Sequence, residues 1–270
     1  MGVGRSIGED RVLALAAGAT FYAMLALSPA LAAGVSLYSL FADARRIAEA
    51  LAALAGVLPS GALDVIRDQL TRLAAKPTSA LGVTFLVSLG VSLWSANAGT
   101  KAVLDALNVV YGIREKRGFV KLNLVSLTFT FGTILFALLA FAATIVLPVA
   151  LDFLGLQAVT QALLQLARWP LLFAAVCLAL GVLYHWGPSR AHGKWRWATV
   201  GSIIAATLWL VVSVLFSWYA ANFAKYNETY GSLGAIVASM MWVWLSTVAV
   251  LLGGEVDEQI EKQTDEGGRP

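Results

Sequence analysis

The sequence predicts an all-α membrane protein: a bundle of six transmembrane helices, with short amphipathic helices in an outer 43–76 loop. Three observations predict it. Only 13% of the 270 residues are charged and 59% are hydrophobic, against about 25% charged in an ordinary soluble domain. The charges are absent from six windows, each of 21 to 31 residues. Roughly 20 apolar residues cross a bilayer core as a helix. The windows are also unbroken, whereas a membrane β-barrel alternates over segments of about 10 residues. A helix satisfies its own backbone hydrogen bonds, so it is the default spanning element. These features exclude an ordinary water-soluble enzyme, a disulfide scaffold and a disordered chain. The organisation expected is a single membrane domain over 1–270. Its spans lie at about 12–42, 78–100, 122–151, 169–188, 197–222 and 232–255, with a cytoplasmic tail at 256–270.

The first span carries Pro29 near its middle, which removes one backbone hydrogen bond and kinks a helix. Ser28 is placed to re-satisfy the freed carbonyl. Ala26, Ala30 and Gly34 form a small-residue face suited to close helix contact. Packing at a kink and a discontinuous helix lining a pathway both fit this pattern. The apolar run continues well past Ala30-Leu31-Ala32, longer than the core of a signal peptide, so a spanning helix is expected there. The 43–76 loop reads as two short amphipathic helices broken at Pro59-Ser60-Gly61. Leu63, Ile66, Leu70 and Leu73 recur at spacings of 3, 4 and 3 in the second of them. A cap on the bilayer surface and a lid over a cavity are both consistent with it.

The second span places Ser88, Ser92, Ser95 and Gly99 on one narrow face of small residues. The helix is expected to run on beyond the span, with Asn97, Lys101, Asp105 and Asn108 following at spacings of 4, 4 and 3. Lys101 and Asp105 are an i, i+4 pair. That stripe is either a solvated face or the lining of a polar mouth. The stretch 153–167 is too short to span and carries Gln157, Gln161 and Gln165 on one face, so a short surface helix is expected. The last span ends at Gly253-Gly254-Glu255. Asp257, Glu258 and Glu261 read as a solvated acidic helix end, with Glu258 and Lys262 as an i, i+4 pair. Glu255, nearest the membrane, needs a partner such as Lys101 or Arg114. Cys177, the one cysteine, has no intramolecular disulfide partner and reads as a small apolar residue.

The formal net charge is +3 and the pI about 9.1. Topology explains this better than nucleic-acid binding does. With the N terminus inside, the cytoplasmic segments carry 12 Lys and Arg and the opposite side 7. That bias predicts both termini in the cytoplasm. The chain has no Walker loop, Rossmann fingerprint, nucleophile elbow or cysteine pair. His185 and His192, the only histidines, lack zinc or catalytic spacing. No catalytic residue, metal ligand or cofactor is therefore expected, and the chain does not read as an enzyme. The partners expected are the lipid bilayer and a lipid-like substrate, with no nucleic acid. Nothing in the sequence speaks to self-association.

Several local motifs coincide: FYAMLALSP at 21–29, LWSANAGTKAVLDALNVVYG at 93–112, WRWATVGSIIAATLWLVVSVLFSWYA at 195–220, and YGSLGAIVASMMWVWLSTVAVLLGGEVD at 230–257. Together they resemble the YihY/BrkB family of bacterial inner-membrane proteins, over about residues 11–260. The resemblance implies six transmembrane helices, cytoplasmic termini and a bacterial cytoplasmic membrane. Members of that family have been called virulence factors, proposed as exporters of lipid-like molecules, or given an old ribonuclease BN label regarded as misassigned. The residues here lend the nuclease label no support. One departure is visible: many members read Leu-x-Pro-Asn after the fourth span, whereas this chain has Gly187-Pro188-Ser189.

Two functions follow as expectations. The first is a transporter or flippase of an amphipathic or lipid-like substrate. Pro29, Ser92, Ser95, Asn97, Lys101, Asp105, Asn108 and Glu255 are its candidate pathway or coupling residues. The second is a non-transporting membrane scaffold supporting envelope assembly, suggested by the scarcity of ionisable residues deep in the spans.

Overall fold

A computed structural model describes residues 11–41, 78–141, 158–189, 199–222 and 232–267. Among these residues the chain is helical, with no strand. The six helices are α1 (Val12–Phe41), α2 (Thr78–Val110), α3 (Phe119–Phe141), α4 (Ala158–Trp186), α5 (Val200–Asn222) and α6 (Ser232–Gly267). All six are long and apolar enough to cross a membrane. At about 1.5 Å rise per residue, even the 23-residue α3 and α5 exceed the roughly 30 Å hydrocarbon core.

The burial pattern is that of a chain solvated by lipid. Phe131, Leu135, Leu138 and Leu139 of α3 are exposed, whereas Ser126 and Thr130 of the same helix are buried. In α5, Val211, Val214 and Leu215 are exposed, and Ser202, Ala205 and Ala206 are buried. Lipid tails solvate large apolar side chains as well as a protein interior does. Small and hydroxyl residues therefore collect at helix contacts, where backbones approach closely.

Three boundaries refine the sequence reading. The second helix continues to Val110, carrying the Asn97–Asn108 stripe on regular helix. Residues 158–167 do not form a separate surface helix. They are the first turns of α4, which runs on through Pro170 to Trp186. Pro170 lies inside an otherwise continuous helix, as lipid-embedded helices permit. The last helix continues through Glu255 to Gly267. The 43–76 loop, Gln157 and His192 lie outside the described residues.

The chain divides into two units. The first is Met1–Ala16, Thr100–Leu210 and Thr247–Pro270, and the second is Ala17–Gly99 and Val211–Ser246. In the second unit, α1 and α2 meet along small residues. A Cβ on Gly99 would lie 3.5 Å from the Tyr22 Cβ and 3.6 Å from the Ala23 backbone nitrogen. Ser92 donates to the Ala26 carbonyl at 3.4 Å. In the same unit α5 and α6 are linked by Trp242, whose indole donates to the Ser213 hydroxyl at 3.2 Å.

Candidate functional site

The polar residues of the first unit gather where α2, α3 and α4 begin or end. The local sequence explains why α2 stops there. Gly112 takes φ +62°, a left-handed conformation that glycine adopts at no steric cost. The Gly112 amide donates to Val109 O at 2.9 Å, and the Ile113 amide to Asn108 O at 2.8 Å. This pair of bonds is a Schellman ending, which satisfies carbonyls that would otherwise be orphaned. It turns the chain sharply into the connector 113–118. The α4 end is marked by Gly187 and then Pro188, which cannot continue a helix. A Cβ on Gly187 would lie 3.3 Å from both Leu104 and Leu107 of α2, so the glycine lets the end of α4 approach α2.

The connector then closes a ring of hydrogen bonds. The Asn108 amide donates to Glu115 Oε2 at 2.9 Å, and the Arg117 backbone N–H to Glu115 Oε1 at 2.8 Å. Ser189 N–H donates to Asn108 Oδ1 at 2.7 Å, while Lys116 N–H donates to Ser189 Oγ at 3.1 Å. Arg117 Nη2 reaches the carbonyls of Trp186 (3.1 Å), Gly187 (2.8 Å) and Pro188 (2.6 Å). A guanidinium on the last carbonyls of a helix meets both their unpaired acceptors and the negative end of the helix dipole. Burial alone would raise the Glu115 pKa. The bonds from the Arg117 backbone, Ser189 and Asn108, with the Arg117 charge, outweigh it and hold the carboxyl below its ordinary range.

Farther along the same unit, α5 and α6 touch backbone to backbone. A Cβ on Gly201 would lie 2.2 Å from Gly253 O, and one on Gly253 would lie 2.5 Å from Gly201 O. Tyr184 of α4, wholly buried, donates its hydroxyl to Val250 O at 2.5 Å. The start of α5 is closed by reciprocal bonds, Thr199 N–H to Ser202 Oγ and Ser202 N–H to Thr199 Oγ1, both 3.1 Å. This resembles a capping box with serine in the glutamate position. The next amide, Gly201 N–H, donates to Asp257 Oδ1 at 3.3 Å. A carboxylate at a helix N terminus also answers the positive end of its dipole.

These contacts correct one expectation. Asp257 and Glu258 are not solvated: both are buried, as is Glu255 at 1% exposure. The cause is the glycine pair, which brings the backbones so close that Asp257 lies over Gly201, 2.8 Å from where its Cβ would stand. Glu258 does form the expected pair with Lys262.

The other candidates are distributed between the units. In the second unit Pro29 is half-buried, while Ser92, Ser95 and Asn97 are buried. In the first unit Lys101 Nζ turns to Asn123 Oδ1 of α3 at 2.6 Å rather than to Asp105, which is exposed. Arg114, the other suggested partner of Glu255, is exposed as well. Thr100 and Thr130 share a hydrogen bond of 2.8 Å. Asn108 belongs to the ring above. Glu115, Arg117, Tyr184, Gly201, Gly253 and Ser189 were not singled out from the sequence as site residues. Gly112 and Gly187-Pro188 were the legible signals that chain ends meet there. Ser189 supplies a main-chain donor and a side-chain acceptor to the ring. Among the described residues, no three His, Cys, Asp or Glu side chains gather as metal ligands.

The family described as Virulence factor BrkB matches residues 3–270. The ribonuclease-like protein YfkH of Bacillus subtilis is 32% identical over 188 residues, 66% of each chain. The UPF0761 membrane protein RSc1559 of Ralstonia nicotianae is 26% identical over 260 residues, 93% of this chain and 56% of that one. The UPF0761 membrane protein PSHAa0171 of Pseudoalteromonas translucida is 25% identical over 264 residues, 96% of this chain and 84% of that one. The chain thus spans little more than half the length of RSc1559. No solved structure matches.

Proposed function

This chain belongs to the virulence factor BrkB family of membrane proteins, and we propose that it moves an amphipathic or lipid-like substrate across the bacterial inner membrane without being an enzyme. The observation that carries this reading is the burial of Glu255, at 1% exposure, on a helix apolar enough to span. Carboxylates are expensive to bury at a membrane, and where they persist they mark substrate or ion pathways. The buried polar positions of α2 in the second unit, Ser92, Ser95 and Asn97, add a run of hydrogen-bonding groups suited to a headgroup. The distribution of Lys and Arg supports placing both termini in the cytoplasm.

The test is reconstitution of the purified protein into vesicles carrying fluorescent phospholipids, with quencher added outside. Wild type is expected to expose inner-leaflet label, and Glu255→Gln and Asn97→Ala to slow that exposure. Vesicles in which no labelled lipid or candidate solute moves faster than in protein-free controls would overturn the proposal. That result would favour the scaffold reading, which has its own support in the close backbone contact between Gly201 and Gly253.

A further inference from the structure

We propose that the segment 114–121, with the exposed start of α3, is a docking surface for anionic phospholipid headgroups, independent of any transport role. The amino-terminal turn of α3 shares the lack of a first-turn acid with the other five helices but carries a lysine, Lys121. Its first four N–H groups have no intrahelical acceptor and form the positive end of the helix dipole. A helix normally answers with an acidic residue or a capping side chain. Here the first turn holds no acidic residue. The preceding residue is Gly118, which has no side chain to cap with, and the turn contains Lys121.

Three further features share this surface. Arg114, Lys116 and Lys121 are all exposed, and none is paired with a carboxylate among the described residues. The only carboxylate in the segment, Glu115, accepts from Asn108 and from the Arg117 backbone, and Arg117 itself is held on the α4 carbonyls. Among the described residues no carboxylate pairs with the other three. Phe119 and Val120 are 82% and 79% exposed, and they open the stretch of α3 apolar enough to span. Exposed apolar side chains directly beside exposed cations complement an anionic lipid: acyl chain against Phe119 and Val120, phosphate against the basic groups and helix amides. Basic residues near a membrane surface attract anionic headgroups in this way. The ring around Glu115 holds the connector in place, so the cations stand on a structured base.

The experiment is native mass spectrometry of the full chain in detergent, titrated with phosphatidylglycerol and separately with phosphatidylcholine. The expected result is preferential binding of phosphatidylglycerol. The variant Arg114→Gln/Lys116→Gln/Lys121→Gln should lower its apparent affinity at least fivefold. Phe119→Gln, which keeps every charge, should lower it by a smaller factor. Lys262→Gln removes a cation already paired with Glu258 and should leave it unchanged. Because the substituted side chains are exposed, the variants should melt within a few degrees of wild type, which separates lipid loss from unfolding. Equal binding of the two lipids by wild type would overturn the proposal. So would undiminished phosphatidylglycerol binding by the triple variant, or displacement of the lipid by inorganic phosphate at equal concentration.

Discussion

Replacing Gly253 by alanine is expected to destabilise the protein by about 2–4 kcal/mol. The new Cβ would stand 2.5 Å from both the Ala205 Cβ and Gly201 O, and 2.6 Å from the Tyr184 hydroxyl. Real Cβ contacts essentially never fall under 3.0 Å, so α5 must retreat from α6 by roughly half an ångström or more. None of the three obstacles is the far end of a flexible chain: two are backbone or Cβ atoms, and Tyr184 is held by its bond to Val250 O. Overpacking of a tight contact costs about 1–3 kcal/mol. Displacing the tyrosine hydroxyl loses a hydrogen bond worth about 1 kcal/mol. The assay is reversible unfolding in mixed micelles, with Gly132→Ala as the matched control. A Cβ at Gly132 meets nothing within 4 Å. That control should be neutral, or stabilising by up to about 1 kcal/mol from helix propensity. If the two alanines shift the unfolding midpoint equally, the close contact between α5 and α6 is refuted.

Three other expectations can be checked on the same preparation. Arg117→Ala, which removes a charged donor from three carbonyls, should cost about 2–3 kcal/mol. Arg117→Lys should cost less, because it keeps a cation near the end of α4. Tyr184→Phe should cost about 1 kcal/mol for the lost bond to Val250 O. Glu115 has a folded-state pKa below its ordinary value of 4.5. Its contribution is fully present above that value and is lost as pH falls through the lowered one. Melting curves of wild type should therefore drop on acidification, and Glu115→Gln should flatten that part of the profile.

The helices were legible because hydropathy is a one-dimensional signal: long charge-free runs are visible without knowing what they touch. The family motifs at 93–112 and 230–257 were legible for a different reason, since recurring local patterns need no geometry. What escaped was whatever depends on two distant segments meeting. Asp257 read as solvated because its burial follows from Gly201 and Gly253, 52 residues apart. Lys101 read as a partner of Asp105, four residues on, but Asn123 on the neighbouring helix receives it. Arg117 and Ser189 looked like connector residues, and only the juxtaposed ends of α2, α3 and α4 give them work. The candidates Ser92 and Asn97 were found by spacing, which identifies a face without identifying what the face meets.

The clasp between Arg117 and the end of α4 also sets a schedule for biogenesis. The guanidinium is made about 70 residues before the last of its acceptors, Trp186, Gly187 and Pro188. At roughly 5–20 residues per second, the ribosome takes about 4–14 seconds to deliver them. Throughout that interval α3 has been synthesised and its basic leading end must stay in water or among headgroups. The pair α3 and α4 can be latched only once the second of them is complete. Ribosome stalling between residues 120 and 185 should therefore leave Arg117 open to a guanidinium-reactive reagent, and stalling well beyond residue 189 should protect it.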